Sequence, residues 1–155
     1  MDAFDGSTEM AKVSSENTGQ TTRVMTFESL DLPTASYDGI WAMASLLHVL
    51  PEDLPGVLVK LGQALKPNGV LLATFKEGVD VRVDDKTGRR FTDVNAQTLQ
   101  TWMSEIEGFQ TVGIDHQVGA DFEHRQTYWF TLTLRRVPEQ TPELKSSGVP
   151  KKRTP

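Results

Sequence analysis

The 155-residue chain contains no cysteine, few aromatic residues and no long apolar run. Without cysteine there is neither a disulfide framework nor a thiolate metal site, which suits a reducing, cytoplasmic compartment. No apolar stretch approaches the roughly 20 residues of a membrane-spanning helix, and no signal peptide opens the chain. An excess of basic charge is also missing. The net charge is −5, which argues against general binding to nucleic acid or to membrane surfaces. The apolar fraction of 37% is low, yet the length suffices for one domain with a sizeable core. Proline, glycine, serine and lysine dominate the end of the chain, so residues 138–155 are expected to be a disordered polar and basic tail behind a domain at 1–137. His116 and His124 lack metal-ligand spacing and read as surface histidines.

What is present reads as alternating strands and helices. Ala3-Phe4-Asp5 has the character of a strand end. Ser7 follows as an N-cap, and Gly19 closes a helix whose apolar side is Met10, Ala11 and Val13. Arg23 to Phe27 is β-prone. Tyr37 to Ala44 is nearly all apolar after Asp38, as in a strand buried on both faces. A helix is expected from about Glu52 to Lys66, with Leu54, Val57, Leu58, Leu61 and Leu65 at helical spacing and Pro67-Asn68-Gly69 as its stop. Val70 to Phe75 then forms a second buried strand, parallel to the first. Lys76 to Arg90 reads as a charged loop or a small hairpin. Asn95 caps a helix with Leu99, Trp102, Met103 and Ile106 on one face and Gly108 at its end. Two final strands, Phe109 to Asp115 and Thr127 to Arg135, are expected to pair antiparallel.

In that order, several blocks resemble the class I S-adenosylmethionine-dependent methyltransferases, and within them the small tellurite-resistance-like enzymes. The blocks are Ala3 to Met10, Tyr37 to Trp41, Ala44 to Val49, Leu61 to Phe75 around Ala64-Leu65-Lys66-Pro67-Asn68-Gly69, Lys76 to Gly78, Arg90 to Thr92, and Trp129 with the closing strand. The resemblance implies a Rossmann-like, three-layer α/β fold that ends in an antiparallel strand pair. It implies S-adenosylmethionine as cofactor and a small-molecule methyl acceptor. Asp5, with the adjoining Gly6, would receive the ribose hydroxyls. Phe27 and Glu28 would meet the adenine, and Ala44 and Ser45 would line the methionine side. His48 would orient the acceptor or serve as a base. Each has a plainer alternative: Asp5 as a turn initiator, Phe27 as a strand-end core residue, His48 as a satisfied loop histidine. For Lys76, Glu77, Arg89 and Arg90 the plainer account, a solvated charged loop, is preferred.

The family's first strand and its glycine-rich loop have no counterpart, since Gly6, Gly39, Gly69 and Gly78 are scattered. That strand is central in the family's sheet, so the Asp5 and Trp41 strands would have to pair directly or leave open edges. Three origins are expected for such a chain: a reading frame begun at an internal methionine, a decayed remnant, or a protein completed by a partner. The functional expectation is methyl transfer. Its competitor is a catalytically inactive fragment that self-associates through the open edge. An oxidoreductase half is disfavoured because no phosphate-binding loop is present.

Overall fold

The computed structural model describes residues 1–120 and 124–138, so beyond Pro138 the expected tail lies outside the described residues. Three short elements come first: β1 (Ala3–Asp5), α1 (Thr8–Thr18) and β2 (Thr22–Val24). The Ser7 hydroxyl accepts from the Met10 N–H at 3.3 Å, and Gly19 ends the helix at φ 69°. Only Ala11 of the expected apolar face is buried; Met10 and Val13 stay about half exposed. The reason is the partner. β1 and β2 pair in parallel as a two-stranded sheet of three-residue strands, too small to cover a whole helix face.

The second sheet holds the core. β3 (Tyr37–Ala42), α2 (Leu54–Ala64) and β4 (Leu65–Lys76) form the expected strand–helix–strand unit, with β3 and β4 parallel. The closing strands β7 (Phe109–Ala120) and β8 (Gln126–Arg136) add an antiparallel pair, giving the order β3-β4-β8-β7. Between β4 and β7 in the chain lie the hairpin β5 (Val81–Val83) and β6 (Arg90–Thr92) and the helix α3 (Ala96–Glu105). Asn95 Oδ1 accepts from the Thr98 N–H at 2.9 Å at the start of α3, and Leu99 and Trp102 are buried on its inner face. No helix among the described residues is long and apolar enough to cross a membrane.

Register shows how the core forms. Leu71, Ala73 and Phe75 of β4 stand opposite Leu134, Leu132 and Phe130 of β8, so all six share one face. All six are buried, together with Leu54, Leu58 and Leu61 of α2 and Leu99 of α3. Phe75 meets Trp102 edge to face at 6.1 Å, and Phe109 of β7 packs its ring onto Gly62. Both helices therefore cover this face. Leu72, Thr74 and Lys76 alternate onto the other.

Two expectations are corrected. β3 is not buried on both faces: Ala42 alone of its residues is buried and Trp41 is 72% exposed, and among the described residues β4 is the one strand that pairs with it. Helix α2 also stops before Pro67-Asn68-Gly69. That segment instead opens β4 irregularly, since Pro67 has no N–H to donate and Asn68 sits at φ 67°. The register consequently slips between the pairs Tyr37–Leu65 and Gly39–Val70. β1 and β3 do not pair with each other. A side-chain bond links the two sheets: Tyr37 Oη donates to Asp2 Oδ2 at 2.6 Å, and that carboxylate raises the phenol above its usual pKa.

A methyl at Gly62 would lie 2.7 Å from Phe109 Cζ. Gly62→Ala is expected to destabilise the fold by about 1–3 kcal/mol, outweighing a helix-propensity gain of about 1 kcal/mol. In a Phe109→Leu background the same change should be neutral or stabilising. Denaturant unfolding of the cycle checks this; a wild-type midpoint for Gly62→Ala would refute the close packing.

Candidate active site

Two cavities open where β1 and β2 on one side, and β3 and β4 on the other, reach their carboxyl ends. The first, of about 500 Å³, brings together Asp5, Gly6, Phe27, Glu28, Ala44, Ser45 and His48, all of the candidates named from the sequence. Asp5 serves its turn and still has capacity. Oδ1 accepts from the Ser7 N–H at 2.8 Å, while Oδ2 has no protein donor among the described residues. Phe27 is half-buried and meets Phe4 edge to face at 5.9 Å. The turn that presents it is closed by Ser29 Oγ, which accepts from the Thr26 N–H at 3.1 Å. Glu28 is exposed, and hydrogen bonds from its own N–H and from the Thr26 hydroxyl hold its carboxyl below the usual range.

The junction between the sheets is set by strain and a hydrogen bond. Ala44 adopts φ 48°, a left-handed conformation that a side chain disfavours. Its N–H donates to Thr74 Oγ1 at 2.8 Å, which fixes the exit of β3 against β4. The chain then makes a short 3-10 turn, Leu46–His48, that buries Leu46 and Leu47 and leaves His48 exposed. His48 Nδ1 lies 2.7 Å from the Arg90 carbonyl oxygen. A carbonyl only accepts, so Nδ1 carries the proton and the Nε2 of the neutral ring is unprotonated. His48 is therefore a satisfied loop histidine with one nitrogen left for chemistry.

The second cavity, of about 660 Å³, shares Ala44, His48 and Arg89 with the first. Its wall is the β5–β6 hairpin and the ends of β4 and β8. Thr92 Oγ1 donates to the Val49 carbonyl at 2.6 Å and fastens the hairpin to the junction. The small hairpin expected within 76–90 is present, and Glu77, Arg89 and Arg90 are exposed there, while Lys76 is partly buried. Lys76 is the last residue of β4, directly opposite Trp129 of β8, with its Nζ 5.4 Å from the Trp129 ring centroid and 5.1 Å from that of Phe91. Glu77 bridges to Val94 beside it, and Arg89 and Arg90 line the cavities. Arg82, directly opposite Phe91, lies over that ring and ion-pairs with the largely buried Asp93. Sequence reasoning missed Arg82, Asp93 and Phe91 as cavity residues. The available signal was alternation, which places Arg82 and Phe91 on one side once Val81–Val83 and Arg90–Thr92 are paired. No cluster of metal-ligating residues occurs among the described residues.

Residues 2–73 match a family model described as a methyltransferase domain. A S-adenosylmethionine-dependent methyltransferase from Methanosarcina mazei superimposes at TM-score 0.75, with 13% identity over 88% of this chain and 81% of that one. The fold is that of the class I S-adenosylmethionine-dependent methyltransferases. An N1-methyltransferase from Burkholderia thailandensis, solved with 1,6-didemethyltoxoflavin and S-adenosylhomocysteine, aligns at TM-score 0.65 and 20% identity. The match covers 88% of this chain, which spans 61% of that enzyme's length. A [4+2]-cyclase also shares the methyltransferase fold, at TM-score 0.58 and 18% identity over 86% of this chain and 64% of that one, so the fold alone does not dictate the reaction. No curated protein matches the sequence significantly.

Thr74→Val keeps the side-chain shape at the junction of this methyltransferase fold but removes the acceptor for the Ala44 N–H. A loss of about 1 kcal/mol in unfolding free energy is expected. Ala44→Gly should raise stability instead, because glycine relieves the positive φ. Thermal or denaturant melts decide, and equal stability for both variants would remove the strained junction from the account.

Proposed function

We propose that the chain binds S-adenosylmethionine in the first cavity and transfers its methyl group to a small-molecule acceptor in the second. The observation that carries this reading is the meeting of the two cavities at His48, with Ala44 and Arg89 in both walls. A volume of about 500 Å³ falls within the range of small-ligand sites, roughly 300–1,000 Å³. The donor set suits an adenosyl group. The unpartnered Asp5 Oδ2 would accept from ribose hydroxyls, Glu28 would accept from the exocyclic amine, and the Phe27 ring offers an apolar face to the purine. When bound, the cofactor supplies an activated methyl group on a sulfonium.

The chain's own part is to position the acceptor, exclude water and hold a proton. Alignment accounts for most of the acceleration in a transfer of this kind. His48 Nε2 is the proton acceptor for a hydroxyl or amine nucleophile, and the Nδ1–H bond to Arg90 keeps the ring oriented while it takes the proton. Arg90 acts through its carbonyl, so substitutions of its side chain should leave this orientation intact.

Calorimetric titration with S-adenosylhomocysteine is expected to give saturable one-to-one binding. Asp5→Asn retains the oxygen that receives the Ser7 N–H but loses the charge, and should weaken binding by about tenfold, the scale of one charge-assisted hydrogen bond. A folded wild-type protein that binds no S-adenosylhomocysteine would overturn the reading.

A second reading has an observation of its own: the unpaired edge of β3 beside the exposed Trp41 suits self-association rather than catalysis. A mass that rises with concentration in light scattering, and falls in Trp41→Lys, would favour it.

A further inference from the structure

The charge in the second cavity opposes that of the chain. Among the described residues its wall contains five cations (Lys76, Arg82, Lys86, Arg89 and Arg125) against three carboxylates, Glu77, Asp84 and Asp93, in a protein of net charge −5. Two of the carboxylates meet a basic side chain, while Asp93 Oδ1 is buried without a hydrogen-bond partner among the described residues. Asp93 holds Arg82, and Glu77 Oε2 lies 3.2 Å from His116 Nε2. Asp84 Oδ1 accepts from the N–H and hydroxyl of Thr87, both at 2.8 Å, bonds that hold its carboxyl below the usual range. Lys76 and Arg89, by contrast, have no carboxylate within ion-pair distance among the described residues.

Lys76 is also the better placed of the two. It stands at the end of a central strand, and its ammonium is drawn to the faces of Phe91 and Trp129. Trp129 is itself confined. A methyl on Gly119 would come within 2.9 Å of its ring, so the absence of a side chain there lets the indole lie against β7. Both rings lie beside the Lys76 Nζ, and Lys76 is partly buried where it lines the cavity. A half-desolvated cation without a counter-ion gains from an anion more than a fully hydrated one does.

We propose that the acceptor is a small organic anion whose carboxylate or phosphate is gripped by Lys76, with Arg89 beside it at the junction with the first cavity. The assignment of this anion as methyl acceptor rests on the methyltransferase reading; the anion site itself does not. Anchored at Lys76, the anion lies in the same cavity as His48. The site thereby selects against uncharged analogues, which would leave Lys76 unpaired.

The test titrates the full chain, with and without S-adenosylhomocysteine, with 4-hydroxybenzoate, phenyl phosphate and malonate, and with the uncharged 4-hydroxybenzamide and phenol. At least one anion should bind about tenfold more tightly than the uncharged compounds, the scale of one charge-assisted contact. Its affinity should fall as salt is added. Lys76→Met keeps an unbranched apolar stem against the two rings and should abolish that margin without altering S-adenosylhomocysteine affinity, while Lys76→Arg should retain it. The proposal is overturned if no anion binds more tightly than about 1 mM, if the uncharged compounds bind equally well, or if Lys76→Met keeps the margin. Anion binding without any S-adenosylhomocysteine binding would support the site and remove only its role in methyl transfer.

Discussion

Strand β4 is the constraint on which core and candidate site both depend. It is hydrogen-bonded on both edges, in parallel to β3 and antiparallel to β8, so its register fixes where both neighbours end. The twofold alternation of a strand then divides its residues between two tasks. Leu71, Ala73 and Phe75 enter the core under α2 and α3, where each contributes to burial at roughly 25 cal/mol per Å² of apolar surface. Thr74 and Lys76 face the other way. One receives the Ala44 N–H, and the other ends the strand in the second cavity. A one-residue slip would bury Lys76 and expose Phe75, so the packing that stabilises the protein also enforces the geometry of the site.

Much of the fold was legible because its signals were local. Asn95 as cap, Leu99 and Trp102 at helical spacing and Gly108 beyond them describe α3 within a short stretch, and the alternation of Phe130, Leu132 and Leu134 does the same for β8. The first-cavity candidates were legible for a related reason: each follows closely on a strand end, which is where ligands lie in open α/β sheets. What sequence could not supply was the company an element keeps. The apolar run in β3 looks like a strand buried on both sides, yet its burial depends on a second neighbour that the sheet does not provide. Met10 and Val13 have the spacing of a buried face, but β1 and β2 offer too little surface to bury them. Arg82, Phe91, Asp93 and Trp129 come from three separate strand and loop segments, and only the pairing of β5 with β6 and of β4 with β8 makes them neighbours.

Both cavities carry charge of both signs. At the first, Asp5 and Glu28 stand beside apolar Phe4 and Phe27, a surface of acceptors suited to hydroxyl and amine donors. Arg89 and Arg90 also line the first cavity, and the second sets Lys76 and Arg82 among Glu77, Asp84 and Asp93. In the proposed reading the cofactor and the acceptor would approach from the two cavities, which share Ala44, His48 and Arg89. The fold sets only the direction of approach, because the same scaffold also serves a cyclase. Any specificity therefore resides in the hairpin and in the ends of β4 and β8.

The joint between the cavities shows which force governs the site. Ala44 is held at a positive φ, at a cost of about 1–3 kcal/mol for a residue with a side chain. The Thr74 hydrogen bond returns about 1 kcal/mol and cannot carry that strain alone. The larger opposing term comes two residues later. Leu46 and Leu47 are 0% and 1% exposed, and burial of each is worth about 1.5–3 kcal/mol. The chain can drop both leucines into the core directly after β3 only by turning sharply at Ala44, so hydrophobic burial drives the turn and the threonine selects its geometry. His48, at the end of that buried pair, is left outside with its ring tied to Arg90. Its position is thus determined by the core on one side and the hairpin on the other, which gives this exposed histidine a fixed orientation.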